Sequence, residues 1–261
     1  MQNITKKLES FLGVKKSPSP EEQELFQKTR DFVQSIKWIP GLRMVAVSNS
    51  LAMYATHKES DIDLFIVTAP RRLWIVRTLV LSMATLLGVR TKLGNEAGKF
   101  CFPFFITDKN LSLKEIAIEN DVYMAYWISS LKPIYNQYYT YGRFMEVNKV
   151  FYEDTLQLEL SEEERANLLR ENRIFLLLTQ RYLWITQMGE FFAPFLSFKD
   201  TILGFVSKKL IAKRIPTDGT EGILVNDDMV KLHINDRRKE IRDRIFSDRR
   251  STLSNAFSHL Q

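Results

Sequence analysis

The chain has 261 residues, 45% of them hydrophobic and 26% charged, which excludes a disordered tail or a fibrous repeat and allows a packed core in one large domain or two modest ones. Its one cysteine, Cys101, excludes an internal disulfide and a cysteine-built zinc site, and the scattered His57, His233 and His259 share no metal-ligand spacing. Formal net charge is +6, and Ser207 to Arg250 holds 12 Lys/Arg against 8 Asp/Glu, a balance that suits either a surface for RNA or nucleotide phosphates or a solvated helix face.

The first predicted element is a helix over 3–12, with Ile4, Leu8, Phe11 and Leu12 on one stripe. Ser17-Pro18-Ser19-Pro20 breaks it. Ser19 then suits an N-cap, Pro20 the first turn and Glu22 a capping box, starting a helix that runs to about Lys37. After Pro40-Gly41, the Val-rich run Leu42 to Val47 predicts a buried strand. A tight turn at Ser48-Asn49-Ser50, a short helix over 51–56 and a polar turn at 58–60 lead into a second strand, Asp61 to Thr68.

A long helix opens at Ala69-Pro70-Arg71 and ends near Gly88. A polar loop over 91–99 precedes a third strand, Phe100 to Thr107, rich in aromatics. Helices are expected near 121–131, 136–152, 161–192, 197–213 and 227–247, with a linker at 216–222. The expected architecture is α+β: a small mixed sheet packed with helices over 1–120, then a mostly helical part over 121–261. No secretion signal is evident at the N-terminus, and the lack of disulfides suits the cytoplasm. Leu73 to Val89 is 17 residues long and carries Arg77, and Ile174 to Val206 is broken by Arg181, Glu190, Pro194, Lys199 and Asp200. Both read as buried helices and not as transmembrane spans; a peripheral membrane contact through their aromatics is the minor alternative.

The chemistry is concentrated in two neighbouring segments, Val45-Ala46-Val47-Ser48-Asn49-Ser50 and Ser60-Asp61-Ile62-Asp63-Leu64-Phe65-Ile66-Val67. Side chains two apart on a strand share a face, so Asp61 and Asp63 project together. Two close carboxylates repel unless a cation lies between them, and Mg²⁺ or Mn²⁺ beside phosphate oxygens answers that need. Backbone N–H groups of the serine turn, with the Ser50 hydroxyl, could hold triphosphate oxygens.

These residues resemble the polymerase β nucleotidyltransferase superfamily, whose signature is an apolar strand, a Gly-Ser turn, a short helix and a Ser-Asp-x-Asp strand. Asp61 lies eleven residues after Ser50, the spacing of its small bacterial members. The motif covers roughly 41–68. The flanks, Arg72-Leu73-Trp74 with Arg77, Gly98-Lys99-Phe100-Cys101, and Lys231-Leu232-His233 with Asp236 and Arg237, resemble one uncharacterised bacterial branch. The resemblance implies that Ser48, Asn49, Ser50 and Ser60 meet the nucleotide, and that Asp61 and Asp63 are catalytic and hold the metal. It implies transfer of a nucleoside monophosphate from an NTP such as ATP to a small molecule, an RNA end or a protein side chain, with release of pyrophosphate.

Two departures stand out. Asn49 replaces the usual glycine of the turn, and Asn tolerates left-handed backbone angles. The strand over 99–107 lacks the third carboxylate of active members, with Glu96 before it and Asp108 beyond. Loss of that acid weighs against catalysis more than against nucleotide binding. The alternative is therefore a degenerate relative that binds nucleotide or RNA in a regulatory or toxin–antitoxin role.

Other residues have two readings each. Arg71, Arg72 and Arg77 could bind phosphate or be solvent-facing charge. Tyr138, Tyr139 and Tyr141 could stack a base or pack between helices. His233 could touch phosphate or serve packing. Cys101 reads as a small core residue.

Overall fold

The computed structural model describes residues 2–92, 94–151, 193–213, 222–233 and 236–247. The expected helix at 161–192 lies outside the described residues, as does the expected 216–222 linker apart from Gly222. Among the described residues, six strands form one mixed sheet in the order β4-β1-β2-β3-β6-β5. They are β1 (Leu42–Val47), β2 (Ile62–Thr68), β3 (Phe100–Thr107), β4 (Lys132–Asn136), β5 (Ile223–Val225) and β6 (Met229–Leu232). β2 and β3 run parallel, and every other neighbouring pair is antiparallel.

Helices cover both faces. On one side lie α2 (Pro20–Ile36) and α4 (Leu73–Leu86), the latter the crossover that makes β2 and β3 parallel. On the other lie α1 (Gln2–Leu12), α5 (Val122–Ser130), α6 (Thr140–Val147) and α8 (238–247). The short α3 (Asn49–Ala52) links β1 to β2, and α7 (Ala193–Ala212) packs on α4.

The two cores follow from strand alternation. Ile62, Leu64 and Ile66 of β2 face α2 and α4, whereas Phe65 and Val67 face α5 and α6. Phe65 sits among the rings of Phe104, Trp127 and Phe144 at centroid distances of 5.1, 5.2 and 5.2 Å. With apolar side chains on both faces, β2 reads as a near-continuous hydrophobic run, the mark of a central strand.

The capping box expected at α2 is present. Ser19 Oγ accepts from the Glu22 N–H at 3.3 Å, and the Glu22 carboxylate accepts from the Ser19 N–H at 2.8 Å. Glu22 is wholly buried and also accepts from the N–H and hydroxyl of Thr56, so the cap pins α2 to the chain just before the two aspartates. Ser19→Ala is expected to lower stability by about 1 kcal/mol in urea denaturation, since it removes one half of this reciprocal pair.

The α+β architecture matches the sequence reading. The part beyond residue 120 is largely helical among its described residues, but it also supplies three of the six strands. β4 contains Pro133, is half-buried throughout and lies at the sheet edge, where proline is tolerated, so it reads as a loop. β5 and β6 are three and four residues long, too short to show a period of two. The Asn226 side chain turns them into a hairpin by accepting from the N–H groups of Asp228 and Met229. The helix expected over 227–247 is therefore a strand followed by α8 over 238–247. A division at residue 120 would cut through the sheet, which takes three strands from either side of it. Among the described residues, no helix is long and apolar enough to cross a membrane.

Candidate functional site

Asp61 and Asp63 lie at the head of β2, on the face that Phe65 and Val67 continue. β3 runs parallel beside them, and the register sets Cys101 next to Asp63. One carboxylate oxygen from each aspartate and the Cys101 Sγ all lie within 4.8 Å of one another. Cys101, expected to be a plain core residue, is thus the third corner of the site. Among the described residues, no third carboxylate joins this group. Glu96 is exposed and acts on Asp61 only through its charge. Asp108 is at the far end of β3, 3.6 Å from both Arg43 and Arg143.

The electrostatics are those of a place short of positive charge. Burial, and then the neighbouring Asp61 carboxylate, push the Asp63 carboxyl up to about 7. Asp61 is raised as well, first by burial and further by Glu96, against a hydrogen bond from Cys101. Burial and both aspartates push the Cys101 thiol up, while Thr91 opposes that change. A bound cation would relieve all three, and two oxygen donors side by side suit a divalent ion that completes its shell with water or phosphate.

The turn residues take separate roles. Asn49 has φ +52°, so it occupies the left-handed conformation that the expected glycine would have allowed. Its side chain reaches the site: Nδ2 donates to Asp63 Oδ2 at 2.8 Å, and Tyr123 on α5 donates to Asn49 Oδ1 at 3.5 Å. Ser48 turns inward, its N–H donating to the Asp63 carbonyl at 3.0 Å and its hydroxyl to the same oxygen at 3.3 Å. Ser48 therefore welds β1 to β2. Ser60 accepts from the His57 N–H at 2.8 Å and so closes the polar turn before Asp61. Ser50 is half-buried in α3, beside Asn49.

The remaining candidates are not brought here. Arg72 is buried at the start of α4 and donates to Ser197 Oγ at 2.7 Å, tying α4 to α7. Arg77 lies over the ring of Phe105 on the opposite face of the sheet from the aspartates. Arg71 is exposed at the loop before α4. Tyr138, Tyr139 and Tyr141 follow β4 at the other end of β1, since Asn136 pairs with Met44 and Lys132 with Val47. Tyr138 lies over Arg43 there, and Tyr141 donates to the Leu131 carbonyl.

A buried ionic network flanks the site on the same face. Lys231 of β6 and Arg238 of α8 both hold Asp236, each at 2.8 Å or less, and Arg238 also donates to Asp121, the N-cap of α5. Tyr123 follows two residues later and is pushed up by burial and by Asp63. Burial, with Lys231 nearby, lowers His233 to about 4 and keeps it neutral. Sequence reading missed the role of Tyr123. It also missed that strands starting at 62 and 100, if paired in step, would set residue 63 beside residue 101.

No family model matches the chain, and no curated protein matches it. Two crystal structures overlap with 62% of this chain and 96% of their own. One is a toxin–antitoxin with AMP-PNP, at 13% identity and a TM-score of 0.26. The other is a mutant of the toxin–antitoxin MntA-HpeT, at 12% identity and the same TM-score. At that TM-score neither likeness bears on what this chain does.

Proposed function

We propose that the protein is a divalent-cation-dependent nucleotidyltransferase. The observation that carries this reading is the pair Asp61 and Asp63, on one face of β2, with Asp63 raised to about 7 because burial and its neighbour both disfavour its charge. The strand–turn–helix–strand segment from Leu42 to Thr68, with the serine turn beside the aspartates, supports it. When bound, Mg²⁺ or Mn²⁺ would neutralise phosphate charge and draw the triphosphate to the two carboxylates. Asn49 holds one oxygen of Asp63 at 2.8 Å and so fixes the rotation of that carboxylate. Ser50 offers a hydroxyl to the phosphates from the same turn. An acceptor hydroxyl attacks the α-phosphorus, the α–β bridging bond breaks, pyrophosphate leaves and the acceptor proton passes to water.

A second reading is favoured by Cys101. A thiol occupies the corner where a third carboxylate would draw the proton from the acceptor, so the site would hold nucleotide without transferring it. One experiment separates the two. The protein is incubated with each α-labelled NTP and Mg²⁺, Mn²⁺, Zn²⁺ or Co²⁺, with RNA, protein and small-molecule acceptors, as wild type, Asp63→Ala and Cys101→Asp. Cation-dependent retention and label transfer, both lost in Asp63→Ala, support the enzyme. Retention without transfer in the wild type, with transfer appearing in Cys101→Asp, supports the holder. Transfer that survives in Asp63→Ala removes the site from consideration.

A further inference from the structure

We infer that Cys101 is a metal ligand, and that Asp61, Asp63 and Cys101 form a centre that selects a thiophilic divalent cation such as Zn²⁺ or Co²⁺ over Mg²⁺. This rests on the reading of the two aspartates as cation ligands, but not on nucleotide transfer.

The geometry supplies the first argument. Protein atoms about 2.0–2.3 Å from a tetrahedral zinc lie about 3.3–3.8 Å from each other. The three atoms here lie within 4.8 Å of one another, a spread that a small side-chain rotation closes around an ion. Parallel pairing of Asp63 with Cys101 fixes two of the three on adjacent strands of the sheet, where the backbone cannot drift.

Donor chemistry supplies the second. Mg²⁺ takes six hard oxygen ligands in near-ideal octahedral geometry, and a sulfur at one corner is a poor partner for it. Carboxylates with a thiolate suit a softer ion, and three protein ligands leave a fourth position to water or a phosphate oxygen, the arrangement of an open zinc site. Binding displaces the thiol proton to solvent, so the ion meets a thiolate and two carboxylates. Asn49 is the outer partner that fixes Asp63, donating to its carboxylate at 2.8 Å.

The test is a Co²⁺ titration of the reduced, tag-free full chain, followed by absorption. Because the chain holds a single cysteine, a thiolate-to-cobalt charge-transfer band in the near ultraviolet can arise only from Cys101. The band is expected in the wild type and absent in Cys101→Ser. Outer partners alone are worth about 10- to 100-fold in metal affinity, so Cys101→Ser is expected to weaken Zn²⁺ by at least about 100-fold and to shift selectivity toward Mg²⁺ and Mn²⁺. Circular dichroism checks the fold of the variant, and the wild-type spectrum decides the matter if the variant does not fold. Cobalt absorption without the charge-transfer band, no cobalt binding, or an unchanged Zn²⁺ affinity in a folded Cys101→Ser would overturn the inference. Nucleotide plays no part in this readout. A band in a protein that retains no NTP would sink the proposed function and leave the centre standing; NTP retention without the band would do the reverse.

Discussion

Replacing Asp63 by Asn is expected to raise the melting temperature of the metal-free protein at pH 8 while abolishing cation-dependent retention of nucleotide. The two effects have one cause. Burial and the Asp61 carboxylate hold Asp63 at about 7, above its ordinary value of 3.8, so the folded state keeps a proton that the unfolded chain has released. Between those two values the native state binds more protons than the unfolded one, and stability therefore falls as pH rises. The loss is complete above about 7, and each tenfold difference in proton affinity between the two states is worth about 1.4 kcal/mol. Asn carries no charge and so escapes the penalty, yet its amide oxygen can still accept from Asn49.

Wild-type melting, measured without divalent ions across pH 4 to 8, should therefore decline toward the alkaline end, and Asp63→Asn should flatten that slope. Adding a divalent cation at pH 8 should restore the wild type and move the variant far less, because Asn takes one charged ligand away from the ion. A wild-type profile that is flat in this window, or a variant that responds equally to the ion, would show that the two carboxylates do not interact as the geometry implies.

Arg238→Met is expected to cost about 3–5 kcal/mol in urea denaturation, the usual penalty for removing one partner of a buried ionic cluster. Arg238 is the hub. It donates to Asp121 at 2.8 Å and to Asp236 at 2.7 Å, and its side chain is only 11% exposed. Against the cost of burial, hydrogen bonds from Arg238 and Lys231 hold Asp236 well below the usual carboxylate range. Without the guanidinium, Asp121 loses its cation and Asp236 keeps only Lys231. Lysine at 238 should recover only part of the loss, since one ammonium cannot match a planar fork that serves two carboxylates. The damage should also reach the site. Asp121 caps the first turn of α5, and that turn places Tyr123 against Asn49. A cost below about 1 kcal/mol would mark the network as solvent-screened.

The central strands were legible because each announces itself locally. Leu42–Val47 and Phe100–Thr107 have the predicted bounds, and the α2 cap is written in Ser19, Pro20 and Glu22. Asp61 and Asp63 were legible as a pair because alternation along one strand needs no knowledge of the rest of the chain. Serines 48 and 60 were visible as turn residues, but their use in internal hydrogen bonds was not, because their partners lie in other segments or depend on how the turn closes.

What the sequence by itself determined is thus the chemistry of short range: which strands are central, where α2 starts, and which two carboxylates share a face. The tertiary structure alone decided that β4, β5 and β6 complete the sheet, that Cys101 stands beside Asp63, and that Arg238 reaches Asp121 from over a hundred residues away. The physical reason is that periodicity and capping act between residues a few positions apart. Strand pairing and burial of charge are settled only when distant segments compete for the same partners, and no local pattern records the outcome of that competition.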